Sequence, residues 1–197
     1  MAPLLQHRDG VLSVDNGAIQ AAAVAESYLT ADAASGSGTI TVKSITGFAI
    51  NQLLLIGELG TDSAEIVKTH ASSAPSGSTV TLAANTSKAH STGDKVRVIT
   101  YDQIECSHAT TATGSKTELT VATTANFNPP SALGSGLVAI DPTTVLQSHE
   151  SSEHSTGYYF ARYKNSITSD FSDYTDALAY GGWAASTVGY MIERSLR

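Results

Sequence analysis

The chain has one cysteine, Cys106, among 197 residues, so it can hold neither an internal disulfide framework nor a cysteine-rich zinc site. Charged side chains are scarce too: 15% of the residues are Asp, Glu, Lys or Arg, against about 25% in ordinary soluble proteins. No stretch of apolar residues is long enough to cross a membrane as a helix, and the N-terminus lacks the basic-then-apolar order of a secretory leader. The expectation is a chain with no membrane partner. Lys and Arg form no stripe, and the net charge is -7. Sequence-specific nucleic-acid binding is therefore not expected, because neutralising phosphates takes clustered cations.

What is present in quantity is Ser, Thr, Ala and Gly mixed with β-formers. Between Gly38 and Tyr101 lie five short β-rich runs, Thr39 to Ile45, Gln52 to Glu58, Ala64 to Thr69, Thr79 to Ala83 and Lys95 to Tyr101, each fenced by turn formers. Thr39-Ile40-Thr41-Val42 alternates with a period of two, as a half-buried strand does. Gln52 to Gly57 is instead continuously apolar at its centre, the pattern of a strand covered on both faces. Gly60-Thr61-Asp62-Ser63 implies a hairpin to the next run. Tight connections between five strands predict a small barrel or sandwich over residues 31–101.

The pattern restarts after Tyr101, with runs at Gln103 to Thr111, Thr117 to Ala122, Leu137 to Ile140, Thr143 to Gln147 and Gly157 to Lys164, which predicts a second β domain over 102–182. Cys106 falls inside the first of these runs and reads as a small buried hydrophobe. Residues 1–30 read as an N-terminal arm. Met1 to Gly17 ends in Asp15-Asn16-Gly17, and Ala18 to Leu29 carries both helix-forming alanines and strand-forming Val24 and Tyr28, with strand preferred. Over residues 183–197, Val188, Met191, Ile192 and Leu196 share one helical face behind Ser186 as N-cap. That predicts a short C-terminal helix suited to docking on a neighbour.

Candidate sites each have a plainer reading. His149, Glu150, Glu153 and His154 could assemble a metal set, yet the spacing of five fits neither a helix face nor a strand face, and a polar loop is preferred. His90 beside Ser91 offers a base and a nucleophile, but adjacent loop residues rarely face each other and no GxSxG elbow exists. Glu58 and Glu65 flank one hairpin and raise a two-carboxylate hydrolase. Gly36-Ser37-Gly38 and Gly134-Ser135-Gly136 lack the Gly-Lys-Ser/Thr ending of a phosphate loop and read as turns. Tyr158, Tyr159, Phe160, Tyr163, Phe171, Tyr174 and Tyr180 form the densest aromatic set, a possible sugar or base platform, divided between core and a subunit contact. No catalytic, cofactor-binding or metal residue is assigned.

Two segments carry a resemblance. Gly47-Phe48-Ala49 through Leu55-Ile56-Gly57-Glu58-Leu59-Gly60, then Ala64-Glu65-Ile66-Val67, Val80-Thr81-Leu82 and Ala89-His90-Ser91-Thr92-Gly93-Asp94-Lys95-Val96, resemble a β module of structural proteins of tailed bacteriophages. Gly157-Tyr158-Tyr159-Phe160-Ala161-Arg162-Tyr163-Lys164-Asn165 with Ser172-Asp173-Tyr174 resembles the closing strands of a fibronectin type III or immunoglobulin-like module in such proteins. The resemblance implies a mainly β chain, with an Ig/fibronectin-like sandwich following the small barrel or sandwich. It implies a non-enzymatic virion protein assembled in the host cytoplasm, forming a homo-oligomeric ring in the neck or head-to-tail connector and meeting portal, neck or tail subunits. A capsid decoration protein or a carbohydrate-binding adhesin module is the alternative, and a metal hydrolase using His149, Glu150 and His154 ranks last.

Overall fold

The computed structural model describes residues 1–8, 11–120, 127–128, 132–134, 136–150 and 154–180. In chain order the elements are β1 (Leu4–Arg8), β2 (Val11–Asp15), α1 (Gly17–Ala21), β3 (Ala25–Tyr28), β4 (Thr39–Thr41), β5 (Leu53–Ile56), β6 (Glu65–Lys68), β7 (Thr79–Thr81) and β8 (Lys95–Ile99). They continue with β9 (Gln103–Ala109), β10 (Thr117–Glu118), β11 (Phe127–Asn128), β12 (Ala132–Gly134), β13 (Leu137–Ala139), β14 (Leu146–Glu150), β15 (Tyr158–Lys164) and β16 (Leu178–Ala179). The chain is mainly β, as the sequence pattern predicts. It divides into two compact units, one of Ile19–Asp102 with Asp141–Val145, the other of Met1–Ala18, Gln103–Ile140 and Leu146–Arg197.

In the first unit β3, β8, β5 and β6 form an antiparallel sheet, and β4 pairs with β7. Bridges between Leu29 and Val42 and between Thr69 and Leu82 join the two pieces at both edges. Around the first bridge Thr30 N donates to Thr41 O at 2.9 Å and Lys43 N to Tyr28 O at 3.0 Å. Around the second, His70 N donates to Thr81 O at 2.9 Å and Ala83 N to Lys68 O at 2.8 Å. The circuit β3-β8-β5-β6-β7-β4 thus returns to its start, a closed barrel without free sheet edges. Its interior is filled by Leu29, Ile40, Val42, Leu54, Ile56, Val67, Val80, Leu82, Val96 and Val98, each worth about 1.5–3 kcal/mol of burial. Ile40 and Val42 are the apolar half of the alternating run. Leu53 and Leu55, on the opposite side of β5 from Leu54 and Ile56, are buried as completely, as the continuous apolar run requires.

The strand preferred for Ala18 to Leu29 is realised only in its second half. Its alanine-rich start forms the single helical turn α1, which Gln20 pins by donating to Glu58 Oε2 at 2.8 Å while its amide oxygen accepts from Leu59 N at 2.7 Å.

The second unit corrects the arm predicted for residues 1–30. β1 and β2 form a hairpin, and β2 pairs along its whole length with β14. Leu5, Leu12 and Val14 are at most 2% exposed, so burial of this alternating set ties the segment into the chain's own core rather than a neighbour's. One sheet has the order β1-β2-β14-β11, and the other β12-β13-β9-β15-β16 with β10 also on β9. These two antiparallel sheets pack as a β-sandwich. Tyr159 and Tyr163 of β15 are buried between them: His7 stacks on Tyr159 with ring centroids 5.0 Å apart, and Tyr163 Oη donates to Asp15 O at 3.3 Å.

The domains are therefore not the serial pair 31–101 and 102–182. Residues 19–102 are inserted between the second and third strands of the sandwich. The helix expected over 183–197 lies outside the described residues.

Candidate functional site

The first candidate chemistry lies at one end of the barrel. Glu65 opens β6 opposite Ile56 and is 8% exposed. Its Oε1 accepts from Ser87 N at 2.7 Å and Ser87 Oγ at 2.8 Å, and its Oε2 from Lys88 N at 3.3 Å. His90 Nε2, 3% exposed as a residue, lies 3.0 Å from the same Oε2. Burial pushes the carboxyl up, but the Ser87 amide, the His90 ring, the Ser87 hydroxyl and the Lys88 amide together hold it below its ordinary value. Lys88 Nζ donates to Asp62 O and Ala64 O, at 2.6 and 2.9 Å. The cluster fastens the 84–90 loop to the start of β6. His90 thus turns one nitrogen to Glu65, while Nδ1 stands 3.9 Å from Asp94 Oδ2 and Ser91 is held through its backbone N by that same oxygen at 2.9 Å. His90 and Ser91 are not paired with each other, in keeping with the preferred reading of His90 as a structural loop residue.

Glu58 belongs to a different cluster. Arg97, 5% exposed, donates Nη2 to Glu58 Oε1 at 2.9 Å, Nη1 to Glu58 Oε2 at 3.1 Å and Nε to Glu26 Oε2 at 2.6 Å. Lys95 Nζ adds a 3.5 Å contact to Glu58 Oε1. The Arg97 hydrogen bonds hold the Glu58 carboxyl below its ordinary range. Glu58 and Glu65, each saturated by separate partners, do not face one another across a common substrate space. An open cleft of about 300 Å³ beside β6, lined by Glu65, Lys68, Asn85 and Asp102 among others, meets a carboxylate whose oxygens are already engaged.

His154 stands apart from the metal set that the sequence analysis weighed against a polar loop. Its ring stacks on His108 with centroids 3.7 Å apart and planes 11° off parallel, and His108 Nε2 donates to Thr156 O at 2.8 Å. Parallel rings aim their nitrogen lone pairs side by side, not at the shared centre a tetrahedral ion requires. His149 is opposite Leu12 and Phe127 in the register of β14. The side chains of His149 and Glu150, and all of Glu153, lie outside the described residues. Among the described residues no three His, Cys, Asp or Glu converge as a metal set. Cys106 is fully buried, and burial, then the Glu105 charge, pushes its thiol up to about 12.

The aromatic set divides by face. Tyr159 and Tyr163 fill the sandwich, while Phe160 and Arg162 alternate onto the other side of β15. There Glu105, 2% exposed, accepts Arg162 Nε at 2.8 Å and Tyr174 Oη at 2.8 Å on Oε1, and Arg162 Nη2 at 3.1 Å on Oε2. The Arg162 guanidinium lies 3.7 Å from the Phe171 ring centroid and 4.4 Å from that of Tyr174. Lys116 Nζ stands over Phe160 at 4.4 Å and Tyr174 at 5.0 Å, and Lys164 Nζ over Phe171 at 5.4 Å. The segment after β15 supplies Phe171 and Tyr174 because it runs beside that strand: Ser172 N donates to Tyr163 O and Thr175 N to Ala161 O, at 2.9 and 2.8 Å. Glu105, Lys116 and Arg162 were missed by sequence reasoning. An acidic and a basic residue inside otherwise apolar strands were the available signal, but only the register of β9 with β15 brings them together.

The scan of protein-family models and the searches of curated proteins and solved structures find no match to this chain.

Proposed function

We propose that the chain is a non-enzymatic structural subunit of a tailed-bacteriophage virion, an oligomeric component of the neck or head-to-tail connector. The observation that carries this reading is where the two resembling segments fall. Gly47 to Gly60, Ala64 to Val67, Val80 to Leu82 and Ala89 to Val96 supply β5, β6, β7 and the entry to β8 of the barrel. Gly157 to Asn165 and Ser172 to Tyr174 are β15 and the segment bonded alongside it in the sandwich. Each unit thus carries one of the two resemblances at its structural centre. Support also comes from Glu65, Glu58 and Glu105, whose carboxylates hold loops and neighbouring strands in place.

Light scattering of the purified protein, followed by class averages of electron micrographs, tests the reading. A closed ring is expected, and labelling of phage particles should place it at the single vertex between head and tail. A monomer that no virion protein recruits would overturn it, and density spread over the whole shell would make the chain a decoration protein instead.

A further inference from the structure

We propose that the outward face of the sandwich around Phe171 binds an acidic oligosaccharide, a sugar chain bearing carboxylates. The face is a row in which cations and rings alternate: Phe160, Lys116, Tyr174, Arg162, Phe171, Lys164. Phe171 is 40% exposed, and the Arg162 guanidinium backs it at 3.7 Å. One ring surface is therefore open to the C–H face of a pyranose while the other is polarised by a cation. Arg162 is held flat by Glu105 through Nε and Nη2, which leaves Nη1 without an acceptor among the described residues. Among the described residues Lys116 and Lys164 form no ion pair.

The exposed acids on the neighbouring segment, Asp170, Asp173 and Asp176, pair with none of these cations and remain available to sugar hydroxyls. The turn before Phe171 is already ordered. Asn165 Oδ1 accepts from Ile167 N and Thr168 N at 2.7 and 3.0 Å, and Asn165 N donates to Asp170 O at 2.9 Å. Binding would then need little ordering of the loop.

The observations favour a sugar over a nucleic acid. Phe160 is buried and Tyr174 is half-buried between Lys116 and Arg162, so among the described rings of this face only Phe171 can stack, whereas single strands are held by a succession of open rings. This proposal stands apart from the virion reading, since a monomer could bind as well as a ring.

The test is calorimetric titration of the full chain with oligogalacturonate and with its methyl ester, which keeps the sugar and removes the charge. Saturable binding to the acid is expected, with affinity for the ester weaker by about tenfold. Phe171→Ala and Lys164→Ala should each weaken acid binding by about tenfold with unchanged thermal unfolding, Lys164→Ala serving as the variant that leaves the aromatic packing untouched. Failure to saturate, equal affinity for acid and ester, wild-type affinity in both variants, or equal competition by oligothymidylate would each overturn the proposal.

Discussion

His90 Nε2 lies 3.0 Å from Oε2 of Glu65, two buried groups 25 residues apart that fasten one end of the barrel. Removing the carboxylate strands the Ser87 and Lys88 amides and the histidine together. Glu65→Ala is expected to cost on the order of 3 kcal/mol in urea unfolding and to expose the 84–90 loop to hydrogen exchange. Glu65→Gln, which keeps one acceptor oxygen, should cost about half as much. An unchanged unfolding midpoint in Glu65→Ala would refute the clamp.

The two units should respond to acid in different ranges. Burial lowers the His7 pKa from its ordinary 6.5, so the unfolded chain binds that proton first, and sandwich stability falls as pH drops below 6.5. The Glu65 pKa is lowered from 4.5, so its contribution is complete above 4.5 and is lost as pH falls through the lower folded value. Hydrogen exchange followed unit by unit between pH 7 and 3 should show the sandwich loosening before the barrel. His7→Phe should flatten the upper step. A barrel that loosens first would contradict both assignments.

Gly157 sits at φ +89°, and a Cβ built there would stand 2.5 Å from His108 Nε2 and 2.6 Å from Ala109 O. Gly157→Ala is therefore expected to cost about 2–4 kcal/mol, from strain plus the displaced His108–Thr156 hydrogen bond. Gly77, at φ +63° with open space around it, should cost only about 1 kcal/mol on the same change. Thermal unfolding of the pair separates crowding from backbone strain, and equal shifts would count against the contact.

Because its core and its ring of strand pairs are internal, the inserted segment should fold alone. Residues 19–102 expressed separately are expected to unfold cooperatively and to protect the amides of Leu54 and Val98 most strongly. Uniformly fast exchange at those two positions would show that the barrel borrows its order.

The barrel was legible because its signals are local. Ile40 and Val42 alternate within four residues, Leu53 to Ile56 form one run, and the Gly60 to Ser63 turn joins neighbouring strands. The first sandwich strands were not. Leu5, Leu12 and Val14 are interleaved with His7, Ser13 and turn formers, and β14, which pairs with β2, begins only at Leu146. The candidate sites were legible as residue types but not as contacts. Glu65 and Glu58 read as a pair because they flank a hairpin, yet their partners His90 and Arg97 come from later strands and loops. His154 beside His149 invited a metal reading, and stacking on His108, 46 positions earlier in the chain, could not be inferred from spacing.

The interruption between β2 and β9 also sets an order of events at the ribosome. The β1–β2 hairpin emerges first, but Gln147, which accepts the Asn16 amide at 2.7 Å, is synthesised 131 residues later. The barrel has every strand it needs by then. During translation the nascent sandwich therefore waits with the long edge of β2 unpaired, while a finished barrel hangs between its halves. At elongation rates of about 5–20 residues per second, that wait lasts on the order of ten seconds. Throughout that interval β2 is the strand that a chaperone, or a second nascent chain, would find first.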